Sequence, residues 1–157
     1  MSTASNGSDS SATSTEQQNL EKNRSVYKAI ENGDSATIKN LIADDAVDHQ
    51  TPTGQELNGG DKIVHMLTDM HNHVKDLNFD IVTDAARGDF VFTMVKVKGT
   101  MTDNTMGMPA GTKMDNQQVD VIKIKDGRMV DHWGFLDWQD VMKMAPPPMD
   151  STGKMKK

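Results

Sequence analysis

Residues 119–137 read VDVIKIKDGRMVDHWGFLD, and the reading of this stretch decides the fold. Two runs rich in β-branched and apolar residues flank Asp126-Gly127, a dipeptide that supplies the positive φ a tight hairpin turn requires. The first run carries Asp120; the second carries Asp131, His132, Trp133 and Asp137. Ionisable groups on strands beside a Trp are uncommon unless a cavity or solvent lies on that side. The hairpin therefore points to a candidate pocket as well as to an architecture. Its register has two solutions. A two-residue turn sets Asp120 opposite Trp133, whereas a three-residue loop with a glycine bulge sets Asp120 opposite His132 and Ile122 opposite Val130. The second joins two apolar residues and pairs an acid with a base, so it is the register expected.

Upstream, the order is helix, helix, strand, helix, then strands. Leu20, Val26, Tyr27 and Ile30 fall near helical spacing within residues 16–31, and Asn32-Gly33 ends that helix. Asp34 or Ser35 caps a short second helix through Ile38, Leu41 and Ile42. A short strand is expected over 46–49, closed by a turn at Thr51-Pro52-Thr53-Gly54. A third helix spans about 60–74, with Ile63, Met66, Leu67, Met70 and Val74 on its apolar face. Strands follow over 77–83 and 90–100, joined by Arg87-Gly88-Asp89, and a loop over 101–112 leads into the opening hairpin. A closing helix is expected over 138–144. Helices followed by antiparallel strands predict an α+β fold, with the helices packed on one face of a curved sheet.

A chain of 157 residues supports one domain, expected over 16–145. Residues 1–15 are almost wholly small and polar, and residues 146–157 are rich in Pro and Lys; both are expected to be disordered tails. The net charge of −6 argues against nucleic acid or an anionic membrane as a partner. No window approaches the length of apolar residues needed to span a bilayer. Residues 1–15 contain no apolar core of a signal peptide, while Ser-rich linkers of this kind often follow an export leader. Location is thus expected to be cytoplasmic, or exported if a leader precedes residue 1. The absence of cysteine rules out disulfides and thiolate metal sites. The 13 Met residues serve as core filling or as the adaptable wall of an apolar pocket.

Several local patterns, taken in order over residues 26–144, resemble the nuclear-transport-factor-2-like superfamily and, within it, the SnoaL-like proteins. Ala46-Val47-Asp48-His49-Gln50-Thr51-Pro52 is similar to the first-strand His-x-x-Pro pattern of that family. Arg87-Gly88-Asp89-Phe90-Val91 resembles its Gly-Asp turn. Lys98-Gly99-Thr100, followed by Gly107-Met108-Pro109-Ala110-Gly111-Thr112-Lys113, resembles its Gly-Thr…Gly-x-Pro loop, and the 119–133 stretch resembles its terminal hairpin. The resemblance implies a cone-shaped curved antiparallel sheet with three N-terminal helices packed on its concave face, a small-molecule pocket between sheet and helices, a homodimer packed through its sheets, and an activity akin to polyketide cyclases or small aldol-type and isomerase-type enzymes. It also places the acid/base carboxylate at Asp137 and turns His49 toward the cavity.

The candidate chemistry is cofactor-free acid/base work on a small apolar carbonyl compound. Asp120 orients His132 and stabilises its cation; Asp137 or His132 abstracts the proton; His49 hydrogen-bonds the developing enolate oxygen. Trp133, Phe135, Met94, Met108 and Met114 are the expected apolar lining, with 101–112 as a lid. Each polar residue also has a structural reading. Asp137 can cap the closing helix, His49 can be a surface residue, and Asp120 with His132 can be a cross-strand salt bridge. His65, His71 and His73 of the third helix do not share a face at metal-binding spacing, so no metal is expected. Glycine-rich phosphate loops and nucleophile elbows are lacking, so no cofactor is expected. A ligand-binding or dimerisation module without turnover is the alternative function.

Overall fold

Thr13 opens the first helix with a reciprocal cap, its side chain accepting from the Glu16 N–H while the Glu16 carboxylate accepts from the Thr13 N–H. The same carboxylate also accepts from Gly88 N–H at 2.8 Å, which ties the helix start to a distant strand turn. Helix α1 (Ser14–Asn32) therefore begins inside the segment expected as a polar tail. It ends where Asn32-Gly33 predicted: Gly33 adopts φ 66°, and the Gly33 and Asp34 N–H groups close onto the carbonyls of Ile30 and Ala29. Asp34 then caps α2 (Ser35–Leu41). The computed structural model describes residues 13–50 and 54–144, so most of both expected tails and residues 51–53 of the expected turn lie outside the described residues.

The remaining elements are β1 (Ile42–Asp48), β2 (Leu57–Asn58), α3 (Gly60–His73), β3 (Val74–Arg87), β4 (Phe90–Met101), β5 (Lys113–Lys125), β6 (Arg128–Leu136) and α4 (Trp138–Met144). One curved, unclosed sheet runs in the order β2-β1-β6-β5-β4-β3, and α1, α2 and α3 pack on one face of it. The fold is α+β, as expected. Its pairing is antiparallel except where β1 lies parallel to β6, which brings the first and last long strands together. The two-residue β2 was not foreseen; it is too short to carry a periodic signal.

The core lies between the helices and the inward face of the sheet. Ile30 of α1, Ile38 of α2 and Ile63 of α3 meet Ile42 and Ala46 of β1, Val91 of β4, and Ile122 and Ile124 of β5. A second cluster gathers Tyr27 with Val95 and Val97, joined by Leu77, Phe79 and Met114. Arg24 of α1 forms a two-pronged ion pair with Asp84 of β3 (2.7 and 2.8 Å), which holds α1 across the sheet.

The hairpin register differs from both expectations. Asp126-Gly127 does form a two-residue turn between the paired Lys125 and Arg128. One extra residue, Val130, is then inserted in β6, so that Ile124 pairs with Met129 but Lys123 pairs with Asp131. Beyond this bulge Ile122 faces His132, Val121 faces Trp133 and Asp120 faces Gly134. A β-bulge leaves no trace in hydrophobic alternation, which is why neither simple register anticipated it.

Gly60 begins α3 against β1, and a side chain there would run into the Ala43 carbonyl oxygen. Gly60→Ala is expected to cost about 1–3 kcal/mol, as overpacking against backbone does, measured as a lower urea midpoint; an unchanged midpoint would show that α3 can shift freely.

Candidate active site

Alternation along β5 turns Asn116, Gln118, Asp120, Ile122 and Ile124 toward the helices. On β6 the bulge at Val130 brings Met129, His132 and Gly134 to the same inward face. Without the extra residue, strict alternation from Met129 would turn Asp131, Trp133 and Phe135 inward instead. Asp48, the last residue of β1, is buried and lies beside His132 through the parallel pairing. Tyr27 reaches in from α1.

Tyr27, Asp48, Gln118, Asp120 and His132 form a continuous polar cluster. His132 Nδ1–H donates to Asp48 Oδ1 at 2.9 Å, and its Nε2–H points to Asp120 Oδ1 at 3.4 Å. Tyr27 O–H donates to Asp120 Oδ2 at 2.6 Å. Gln118 Nε2 donates to both oxygens of Asp120, at 2.9 and 3.0 Å. Asp48 also accepts from the Gln50 N–H at 3.0 Å. Next to the cluster, Asn23 of α1 donates to the buried hydroxyl of Thr93, which pairs with Asp120 across β4 and β5.

Burial alone disfavours a charged imidazole, and it is the largest single influence on His132. The hydrogen bonds and charges of Asp120 and Asp48 together outweigh it and raise His132 to about 9. The ring is thus an imidazolium at neutral pH, able to donate from both nitrogens. Burial pushes Asp48 up, but the His132 hydrogen bond and charge prevail and hold it below the usual carboxylate range. Burial and the neighbouring Asp120 charge push the Tyr27 hydroxyl well above its ordinary value, so it stays protonated as a donor.

Gly134 lies against the acid–base pair: a side chain at this position would place its Cβ 3.3 Å from Asp120 Oδ1 and 3.5 Å from the His132 ring. The His132 side chain retains 23% exposure, whereas Asp120 retains 6%. A recess of about 490 Å³ lies elsewhere, between Gln18, Asn19 and Lys22 of α1 and the turns at Asp89 and Asp126-Gly127. No member of the cluster lines it.

Of the residues singled out from sequence, the structure brings together Asp120 and His132. The other two polar candidates stand apart. His49 faces the opposite side of the sheet, stacked on Trp133 with ring centroids 4.7 Å apart, its nitrogens 2.9 Å from Glu56 and from Asp131. The Asp131 hydrogen bond, with Glu56 in support, raises its pKa. Asp137 is exposed, and its Oδ1 accepts from Gln139 N–H at the start of α4. Trp133, Phe135 and Met94 lie on the face away from the helices, and only Met114 of the expected lining packs inward against the Val95–Val97 cluster. Met108 is half-buried within the 101–112 segment. That segment is clasped to α3, with Asp103 2.6 Å from His73 Nδ1 and Thr102 donating to the His73 carbonyl. Tyr27, Asp48 and Gln118 were not singled out. Asp48, two residues after the buried Ala46, carried the signal of a charged side chain on the inward face of β1. No group of three His, Cys, Asp or Glu side chains suited to a metal ion occurs among the described residues, and no helix among them is long and apolar enough to cross a membrane.

The model of the SnoaL-like polyketide cyclases matches residues 21–144, which takes in every element named above except the start of α1. The chain belongs to this family. Among solved structures, a protein from Jannaschia sp. CCS1 assigned as a SnoaL-like polyketide cyclase superposes with a TM-score of 0.74 at 18% identity, covering 90% of this chain and 100% of that one. IdmH from Streptomyces antibioticus, assigned as a polyketide cyclase, gives 0.67 at 24% identity over 81% and 97% of the two chains. A LEH-like epoxide hydrolase from M. tuberculosis gives 0.68 at 19% identity over 82% and 90%. At these identities the likeness is one of fold. No curated protein matches the sequence significantly.

An NMR titration of His132 is expected to show a midpoint of about 9. Asp120→Asn and Asp48→Asn should each lower it, because each removes a hydrogen bond and a charge that favour the imidazolium. A pKa raised on folding stabilises the native state fully below the unfolded value of about 6.5, and that contribution is lost as pH rises through the folded value. The urea midpoint should accordingly fall between pH 6.5 and about 9 in wild type, and His132→Gln should flatten that fall. A wild-type His132 midpoint at the ordinary histidine value would break the coupling.

Proposed function

We propose that the protein is a small-molecule enzyme that moves protons next to a carbonyl without a cofactor, with Asp120 as the base and the His132 imidazolium as the group that holds the developing negative charge. The observation that carries this reading is the buried Asp48–His132–Asp120–Tyr27 chain on the inward face of the sheet. A charged pair placed there costs desolvation energy, and without a functional demand an apolar pair would pack as well or better.

In this reading an apolar ketone enters over Gly134. The α C–H bond breaks, its proton passes to an Asp120 oxygen, and the electron pair moves into the enolate, whose oxygen takes the hydrogen bond from His132. Returning the proton to another carbon gives isomerisation; attack of the enolate carbon on a second carbonyl gives aldol-type cyclisation. Asp48 keeps His132 charged and fixes its ring, and Tyr27 positions Asp120. The roles expected for His49 and Asp137 are not used, since neither approaches this cluster. A binding module without turnover is the competing reading. It draws on the fact that Asp120 is already hydrogen-bonded to Tyr27, Gln118 and His132.

The opposite face of the sheet supports a homodimer. Phe92 and Phe135 are 44% and 52% exposed there, beside Trp133 and Phe90. An apolar sheet face of this kind is a common site of self-association.

The test of catalysis is exchange of α-hydrogens of 2-tetralone for deuterium in D₂O. Wild type is expected to exceed buffer, and Asp120→Asn to lose about 10²-fold or more, the range of a general base. The rate should decline as His132 loses its proton at about 9. Wild type no faster than buffer would leave the binding module as the better account. Sedimentation velocity tests the dimer: wild type should run as a dimer, and Phe92→Lys with Phe135→Lys as a monomer whose His132 titration is unchanged.

A further inference from the structure

Asn116 is 5% exposed, and its side-chain oxygen is buried without a hydrogen-bond partner among the described residues. The orientation of this amide follows from its neighbours. A carboxylate only accepts, so Gln118 must turn its NH₂ group toward Asp120, which it does at 2.9 and 3.0 Å. Gln118 Oε1 then faces back along the strand and accepts from Asn116 Nδ2 at 3.4 Å. The Asn116 oxygen is what remains. The polarity of the whole ladder, from Asp120 through Gln118 to Asn116, is thus set at the carboxylate and ends in a bare acceptor.

The surroundings of that acceptor are apolar. Asn116 pairs across the sheet with Val97, which is 2% exposed, and Met114 precedes it on the same face. Val97 and Met114 belong to the cluster formed with Tyr27, Val95, Leu77 and Phe79. A buried acceptor with no donor destabilises the fold, and apolar walls offer no donor.

We propose that Asn116 is a ligand-binding residue whose oxygen receives a hydroxyl group of the substrate. This rests on the proton-transfer reading of Asp120, and it adds the chemical class of the molecule: an apolar ring ketone with a hydrogen-bond donor at its far end. Asp120 and Asn116 are four residues apart on one strand, about 13 Å between Cα atoms. A two-ring ketone fits that span when its reactive carbon meets Asp120 and its hydroxyl meets Asn116. A carbonyl or carboxylate at the far end would face the Asn116 oxygen as acceptor against acceptor and bind poorly. Asn116 is therefore a specificity residue, and Gln118, by fixing its orientation, a positioning residue.

The test compares 2-tetralone with 6-hydroxy-2-tetralone. Calorimetric titration of wild type is expected to show about tenfold tighter binding of the hydroxylated ketone, the worth of one good hydrogen bond. Asn116→Leu should abolish that preference, the two ketones then binding the variant with equal affinity. Equal affinities in wild type, no binding of either ketone, or a preference that survives in Asn116→Leu would each overturn the proposal. The wild-type comparison decides by itself if the variant does not fold. Deuterium exchange into 2-tetralone separates this outcome from that of the catalytic reading. A hydroxyl preference without exchange leaves the Asn116 subsite standing and removes Asp120 as base; exchange without preference does the reverse.

Discussion

One inserted residue, Val130, sets the chemistry of this molecule. Alternation makes strand geometry unforgiving, since a shift of one position sends every following side chain to the other face. The bulge in β6 turns His132 and Gly134 toward the helices and sends Trp133 and Phe135 outward. Everything inside depends on that inversion, through the contacts of His132 with Asp48 and Asp120. The outer face depends on it equally, because Trp133 becomes free to stack with His49.

The buried cluster persists because each of its carboxylates is met by hydrogen-bond donors. One imidazolium lies between two carboxylates, and the spare valences of Asp120 are taken by Tyr27 and Gln118. Removing a single partner from such a set leaves a buried charge uncompensated, typically at a cost of about 3–5 kcal/mol. The cluster is therefore both a chemical site and a fastening between α1, β1, β5 and β6. In the proposed reading, proton transfer and structural support are carried by the same contacts.

Local signals in the sequence were faithful where the physics is local. Asn32-Gly33 ends α1, Asp34 caps α2, and α4 spans Trp138–Met144 as the pattern indicated. The order of elements, with its family resemblance, placed the chain in the correct fold. Asp120 and His132 were paired, although for a reason that proved incorrect: they meet on a diagonal and not face to face. What stayed hidden was non-local. Tyr27 looked like an ordinary apolar-face residue of a helix, and nothing near residue 48 indicates that it will lie beside residue 132. The bulge was invisible because Val130 is as good a strand residue as its neighbours.

The parallel pairing of β1 with β6 carries a consequence for how the protein comes into being. Asp48 and His132 are 84 positions apart, and β6 is the last strand of the sheet. Hairpins such as β3–β4 and β5–β6 close over two-residue turns, but this contact must wait for the whole intervening chain. Until β6 docks, Asp48 waits at the end of β1 without its counter-charge. The contact between Asp48 and His132 thus forms only when β6 docks beside β1, and with it the polar heart of the molecule is joined across the two ends of the sheet's sequence.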